Sequence, residues 1–220
     1  MLAVISGTSR GIGKAIAEKF LRENHEVVGL DICPSSIEDG RYTHVQCDVR
    51  DEKSLPDVKD VSVVITSAGV QLPDEDAIGV NLIGTINVVE KYAFHKGVKA
   101  VVTIASASGS TGSEFPRYAA SKGGVIAYTK NVALRLAPYK ATANSLSPGG
   151  VYTESNNPVL RNPKLRKEAI GESLLNKWAT TEEIADFAYF LAAINKSMTG
   201  QDVLVDNGEA LKSNFVWTKE

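Results

Sequence analysis

A short apolar run, Leu2 to Ser6, leads into a glycine-rich turn, Gly7-Thr8-Ser9-Arg10-Gly11-Ile12-Gly13, and then into a segment with apolar positions at Ile12, Ile16, Phe20 and Leu21. The run reads as a buried strand and the periodic segment as a helix that starts inside the turn. The rest of the chain repeats this alternation. Strands are predicted at Leu2–Ser6, Glu26–Asp31, Tyr42–Cys47, Val61–Thr66, Val98–Ala105, Ala141–Leu146 and Gln201–Asp206, with helices near 11–23, 76–96, 116–137 and 181–194. Such alternation predicts an α/β fold, a parallel doubly wound sheet with helices on both faces. Ligands then belong beyond the carboxyl ends of the strands. At 220 residues the chain is expected to form one domain, 1–220, large enough to bury a substantial core.

The turn itself carries chemistry. Glycines let a backbone approach a pyrophosphate, and the helix N-terminus offers free N–H groups and a partial positive charge. The spacing, three residues between Gly7 and Gly11 and one before Gly13, differs from the usual dinucleotide fingerprint. The second strand ends in Asp31, 18 positions after Gly13. That is close to the roughly 20-residue offset at which an acid takes the adenosine ribose hydroxyls. The plainer reading of Asp31 is a strand-end turn former leading into Cys33-Pro34-Ser35-Ser36. In the ribose role an acid repels a 2′-phosphate, which predicts NAD(H) over NADP(H). Arg10 argues the other way, because a guanidinium inside the turn could reach such a phosphate. Asp31 is given the greater weight.

Tyr118-Ala119-Ala120-Ser121-Lys122 lies in the long helix-compatible run and sets a phenol and an ammonium one turn apart, on one face. A nearby cation favours the phenolate and is expected to lower the Tyr118 pKa, fitting it to donate or accept a proton near neutrality. Alone, such a pair is also compatible with an ordinary amphipathic surface.

Together, the glycine turn and the Tyr118/Lys122 pair resemble the classical short-chain dehydrogenase/reductase family. Further segments are similar in the expected order. Cys47-Asp48-Val49 follows the third strand, where the family contacts adenine. Ser67-Ala68-Gly69 follows the fourth, with Thr66-Ser67 standing where the family carries two asparagines. Val80-Asn81-Leu82 matches the helix bearing a structural and proton-relay Asn, and Ile104 to Gly109 matches the segment bearing the catalytic serine. Ser106 is favoured for that role on spacing, twelve residues before Tyr118, with Ser108 and Ser110 close by. Pro148, Gly149 and the stretch Val151 to Thr153 match the nicotinamide contacts.

The resemblance implies a Rossmann-type sheet with strand order 3-2-1-4-5-6-7. It implies Asn81, Ser106, Tyr118 and Lys122 as catalytic residues. For the cofactor it implies Gly7, Ser9, Arg10, Gly11, Ile12, Gly13, Asp31, Ile32, Cys47, Asp48, Val49, Ser67, Ala68, Gly69, Tyr118, Lys122, Pro148, Gly149, Val151 and Thr153. The expected activity is hydride transfer between NAD(H) and an alcohol or ketone. Lys122 would hold the nicotinamide ribose, Ser106 would steer the substrate oxygen, Tyr118 would move the proton, and Asn81 would hold a water leading to solvent. The alternatives are an NADPH-dependent ketoacyl-type carbonyl reductase, an inactive NAD-binding sensor or scaffold, and a sugar-nucleotide epimerase or dehydratase. A homodimer or homotetramer, built through the helices containing Asn81 and Tyr118, is also implied.

The chain departs from the pattern in two places. Asn81 lies only twelve positions after Gly69, and Asp51 to Lys59 leaves little room, so shortened helices are expected after strands 3 and 4. The segment 152–177, with Asn156-Asn157-Pro158 and Asn162-Pro163 ahead of a short amphipathic helix, reads as a substrate lid, the alternative being a floppy connection.

Composition excludes other classes. The balance of 24 basic and 26 acidic residues, with no basic block, argues against nucleic-acid binding. No apolar run approaches membrane-spanning length. The first strand begins at Leu2, which predicts no leader peptide. Cys33 and Cys47 fit free thiols in a reducing cytoplasm. His25, His44 and His95 lack ligand spacing, so no metal is expected.

Overall fold

The computed structural model describes residues 1–211; the remaining positions of the expected 1–220 domain lie outside the described residues. Seven strands form one parallel sheet: β1 Leu2–Ser6, β2 Glu26–Asp31, β3 Tyr42–Gln46, β4 Val63–Thr66, β5 Ala100–Ile104, β6 Thr142–Pro148 and β7 Asp202–Val205. Their order is β3-β2-β1-β4-β5-β6-β7, so the chain reverses its winding between β1 and β4.

Valine, isoleucine and alanine dominate the central strands, as expected where helices cover both faces. Side chains alternate across β1. Ala3 and Ile5 join one core with Ile16, Phe20 and Leu21 of α1 (Gly11–Arg22) and Ile184, Ala185 and Ala188 of α7 (Thr181–Tyr189). Val4 joins the other with Val88 and Val89 of α2 (Gly84–Tyr92) and Val132 and Leu136 of α4 (Pro116–Leu136).

The helix expected over 76–96 is divided. A π-helical turn, Ile78–Ile83, precedes α2, which ends at Tyr92. The helix after β3 shrinks to a single 3-10 turn, Glu52–Ser54, and no regular helix intervenes between β4 and the π-helical turn, in keeping with the short spacings. A one-turn helix α3, Ser108–Thr111, follows β5. Segment 152–177 is mostly helical: a 3-10 turn at Glu154–Asn156, α5 at Asn157–Leu160 and α6 at Pro163–Gly171. Asn162 caps α6 by accepting from the N–H groups of Lys164 and Leu165. Among the described residues no helix is long and apolar enough to cross a membrane.

Candidate active site

The glycine turn leaves β1 with Gly7 at φ 77° and Gly11 at φ 59°, both in the left-handed region. A side chain on Gly7 would bring its Cβ within 2.7 Å of the Ala68 backbone nitrogen, so the turn is closed against the end of β4. Ser6 Oγ fastens that junction by accepting from the N–H groups of Ser67 (3.1 Å) and Ala68 (3.2 Å). Ser9, Arg10, Ile12 and Gly13 complete the turn into α1, and Arg10 is exposed at its start.

Asp31 ends β2 beside this turn. Its Oδ2 accepts from the Ser9 N–H and its Oδ1 from the Cys33 N–H, both at 2.9 Å, so the carboxylate is fixed from two sides. Ile32 is exposed next to it. The strand before Cys47 ends one residue early, at Gln46, which puts Cys47, Asp48 and Val49 in the loop beyond β3. Cys47 and Val49 are buried. Asp48 pairs with Arg50 at 2.6 Å, and that hydrogen-bonded guanidinium holds its carboxyl below the usual range.

On the far side of the switch point, Pro116 opens α4 at its first position, where a missing N–H costs nothing. Tyr118 therefore stands in the first turn and Lys122 in the second. The Lys122 Nζ lies 5.8 Å from the centre of the Tyr118 ring and donates to the Ile104 carbonyl at 2.8 Å. Among the described residues that carbonyl is its only hydrogen-bond acceptor, which leaves two N–H donors for a ligand. Ser106 follows β5 on the side of the Tyr118 hydroxyl, near enough to favour its ionised form, and its Oγ accepts from the Ser108 N–H at 3.2 Å.

Gly109 makes this meeting possible. A Cβ there would sit 2.8 Å from the Lys122 carbonyl carbon and 2.9 Å from the Gly123 nitrogen, both backbone atoms that cannot yield.

Asn81 is buried in the π-helical turn. Its Oδ1 accepts from the Val70 N–H at 2.8 Å, and its Nδ2 donates to the Val70 carbonyl (2.9 Å) and to Ser121 Oγ (3.0 Å). Both amide protons are thus engaged, and any water that this side chain holds must be taken by an oxygen. A Cβ on Gly69 would lie 3.3 Å from Asn81 Oδ1 and 3.6 Å from Lys122 Nζ, so the two side chains converge there.

Pro148 ends β6 alongside and Gly149 follows it, Val151 bridges to Ala179, and the Thr153 methyl would lie 3.7 Å from a Cβ on Gly11. Residues spread from Gly7 to Thr153 are gathered at the carboxyl edge of the sheet.

The electrostatics correct one expectation. Lys122 does not depress the Tyr118 pKa in this structure. Burial pushes the phenol up to about 12, a rise opposed by the Ser106 hydroxyl and aided by the negative charge of Glu114. Burial likewise brings the Lys122 ammonium down to about 8, with Glu114 opposing. Desolvation outweighs the i,i+4 proximity because both groups occupy the same dry space.

A cleft of about 850 Å³ opens between α3 and α6, lined by Ala107, Ser113, Lys164, Lys167, Glu172 and Glu209 among others. Glu114 and Glu209 escaped the sequence reading, although Glu114 stands one helical turn before Tyr118. Their neighbours come from distant segments, so spacing alone could not find them.

Comparisons with known proteins bear on the family and the fold. A family model described as enoyl-(acyl carrier protein) reductase matches residues 73–209, and one described as the NAD dependent epimerase/dehydratase family matches residues 3–132. The 3-oxoacyl-(acyl-carrier-protein) reductase of Thermotoga maritima is 28% identical, over 94% of this chain and 96% of that protein. The NAD-dependent glycerol dehydrogenase of Listeria innocua is also 28% identical, over 96% of this chain and 94% of that protein. A short chain dehydrogenase family protein from Francisella tularensis superimposes with a TM-score of 0.86 at 25% identity, covering 96% of this chain and 99% of its own.

Proposed function

Because the chain belongs to the classical short-chain dehydrogenase/reductase family, a family of oxidoreductases that bind a nicotinamide dinucleotide, we propose that it transfers a hydride between NAD(H) and an alcohol or ketone. The observation that carries this reading is the convergence of Ser106, Tyr118 and Lys122 beside the glycine turn. Ser106 faces the Tyr118 hydroxyl, and a buried ammonium whose one acceptor among the described residues is the Ile104 carbonyl stands behind the ring.

The residues fit the dinucleotide. Gly7 and Gly11 present left-handed backbone at the N-terminus of α1, which suits a pyrophosphate. Asp31, held by Ser9 and Cys33, offers acceptors to the adenosine ribose. The free donors of Lys122 suit the second ribose. When bound, the nicotinamide supplies or receives the hydride. Ser106 donates to the substrate oxygen and stabilises its developing charge. Tyr118 takes the hydroxyl proton during oxidation and returns it during reduction. An ammonium at Lys122 that gains hydrogen-bond partners is favoured in its charged form, and that charge in turn favours the phenolate. Asn81 holds the wall at Val70 and aligns Ser121 under Tyr118.

Tyr118→Phe tests the mechanism: kcat should fall by about 10²-fold or more, the usual scale of a lost general acid–base group, while cofactor affinity barely changes. Retained activity would refute it. The alternative of NADPH-dependent carbonyl reduction draws on exposed Arg10 and on the Thermotoga maritima relative. Separate fluorescence titrations with NADH and NADPH decide between the two. We also propose a homodimer or homotetramer, supported by exposed Ile78 and Ile83 on the π-helical turn and by Leu134 on α4, to be checked by light scattering.

A further inference from the structure

Glu114 occupies the turn between α3 and α4 at φ 70°, two residues after Gly112 at φ 73°. Side chains rarely adopt that conformation. Its carboxylate is tied on both sides of the reaction centre. Oε1 accepts from buried Ser108 Oγ at 2.7 Å, and Oε2 accepts from Gln71 Nε2 at 2.5 Å. Ser108 is in turn bonded to Ser106 through its N–H, and Gln71 adjoins Val70, which is fixed by Asn81. The carboxylate is therefore held between the two walls of the site, close enough to Tyr118 and Lys122 to act on their charge states. Glu209, which accepts from the Gly150 N–H at 3.2 Å, lies within reach of the same field and faces the cleft.

An ionised carboxylate has about four acceptor positions. Two are used, so each Glu114 oxygen retains one. The basic groups that line the nearby cleft, Lys164 and Lys167, come from α6, and no basic side chain is bonded to Glu114 among the described residues.

We propose that Glu114 determines substrate specificity by accepting a hydrogen bond from a donor group, hydroxyl or ammonium, on the carbon next to the one oxidised. Preferred substrates are then vicinal diols or amino alcohols. A simple alcohol leaves the acceptor unused, and a 2-hydroxy acid sets a second anion against Glu114 and Glu209. The neighbouring group does not react. The carbinol C–H bond delivers hydride to the oxidised cofactor, its O–H proton passes to Tyr118, and the product is the hydroxy- or aminoketone. This inference rests on the oxidoreductase reading above.

The test is NAD⁺-dependent oxidation of four substrates with one carbon skeleton: 2-butanol, 2,3-butanediol, 3-amino-2-butanol and 2-hydroxybutanoate. They are compared in wild type, Glu114→Gln and Glu114→Ala. In wild type, kcat/KM for the diol or the amino alcohol should exceed that for 2-butanol by about tenfold or more, the scale of a hydrogen bond to a charged group. The hydroxy acid should be poorest. In Glu114→Ala the ratios should fall toward one. In Glu114→Gln, which has the same shape and keeps an acceptor oxygen, the diol preference should partly survive and the amino alcohol preference should vanish. A purely structural role would lower all rates together and leave the ratios in place. Unchanged ratios, equal wild-type rates, a preference for the hydroxy acid, or no turnover by protein that binds NADH would each overturn the proposal. Failure to bind either NADH or NADPH would instead refute the dehydrogenase reading, and this inference with it.

Discussion

Lys122 Nζ donates to the Ile104 carbonyl across 2.8 Å, joining the second turn of α4 to the last residue of β5. Burial lowers its pKa to about 8, against 10.5 for an exposed lysine. Between those values the unfolded chain holds a proton that the folded chain has released. This contribution to stability therefore rises with pH across that window, and the penalty for burying the charge is fully present below it. Tyr118 acts oppositely. Its folded pKa of about 12 exceeds the unfolded 10.0, so stability is lost as pH climbs through that interval. The stability of Lys122→Met minus that of wild type, from denaturant melts at several pH values, should fall as pH rises from 8 to 10.5. A flat difference would mean that the ammonium is not desolvated.

Gly109 is where α3 and α4 touch. An added Cβ would press on the backbone of Lys122 and Gly123. Gly109→Ala should cost about 1–3 kcal/mol, the usual scale of overpacking. It should also reduce kcat sharply, because the shift separates Ser106 from Tyr118. Gly40→Ala is the control: nothing lies within 4 Å of its Cβ position, and its stability should change by no more than about 0.5 kcal/mol. Equal effects at the two positions would refute the contact argument.

The sheet was legible because each strand announces itself by β-branched and apolar residues between turns, and because Gly7, Asp31 and Pro116 punctuate the element ends. Strand order came only with the family resemblance, since parallel pairing leaves no local mark. The lid region was legible in part. The short amphipathic helix expected after Asn162-Pro163 is α6, whereas Asn156-Asn157-Pro158 does not end a loop but opens the single turn of α5. The Tyr118 pKa was misjudged because spacing reports the distance between groups and says nothing of the water around them. Glu114 stayed hidden because its partners reach it from two separate segments, Gln71 from the loop after β4 and Ser108 from the start of α3.

Asn81 is tied to Val70 and Ser121 by three hydrogen bonds, and stability measurements weigh them. Asn81→Ala strands the buried polar groups of Val70 and Ser121 and should destabilise the fold by about 2–4 kcal/mol. Ser121→Ala removes a single hydroxyl, which accepts from Asn81 and donates to the Tyr118 carbonyl at 2.7 Å, and should cost about 1 kcal/mol. Thermal or denaturant melts check both. If Asn81→Ala melted like wild type, its bonds to Val70 would not support the wall.

The proposed preference for NAD(H) rests on Asp31. Its oxygens are held by two backbone N–H groups, so the carboxylate cannot swing aside to admit a 2′-phosphate. Two like charges about 4 Å apart near a protein surface repel by roughly 4 kcal/mol before salt screening. Asp31→Asn keeps one acceptor and removes the charge. Dissociation constants for NADH and NADPH should then converge, their ratio moving by about ten- to a hundredfold toward NADPH. Adding Arg10→Ala to that variant should weaken NADPH again, since the guanidinium at the start of α1 is the nearby cation in the turn. A ratio that ignored Asp31 but followed Arg10 would assign selectivity to the turn and favour the NADPH-linked reductase.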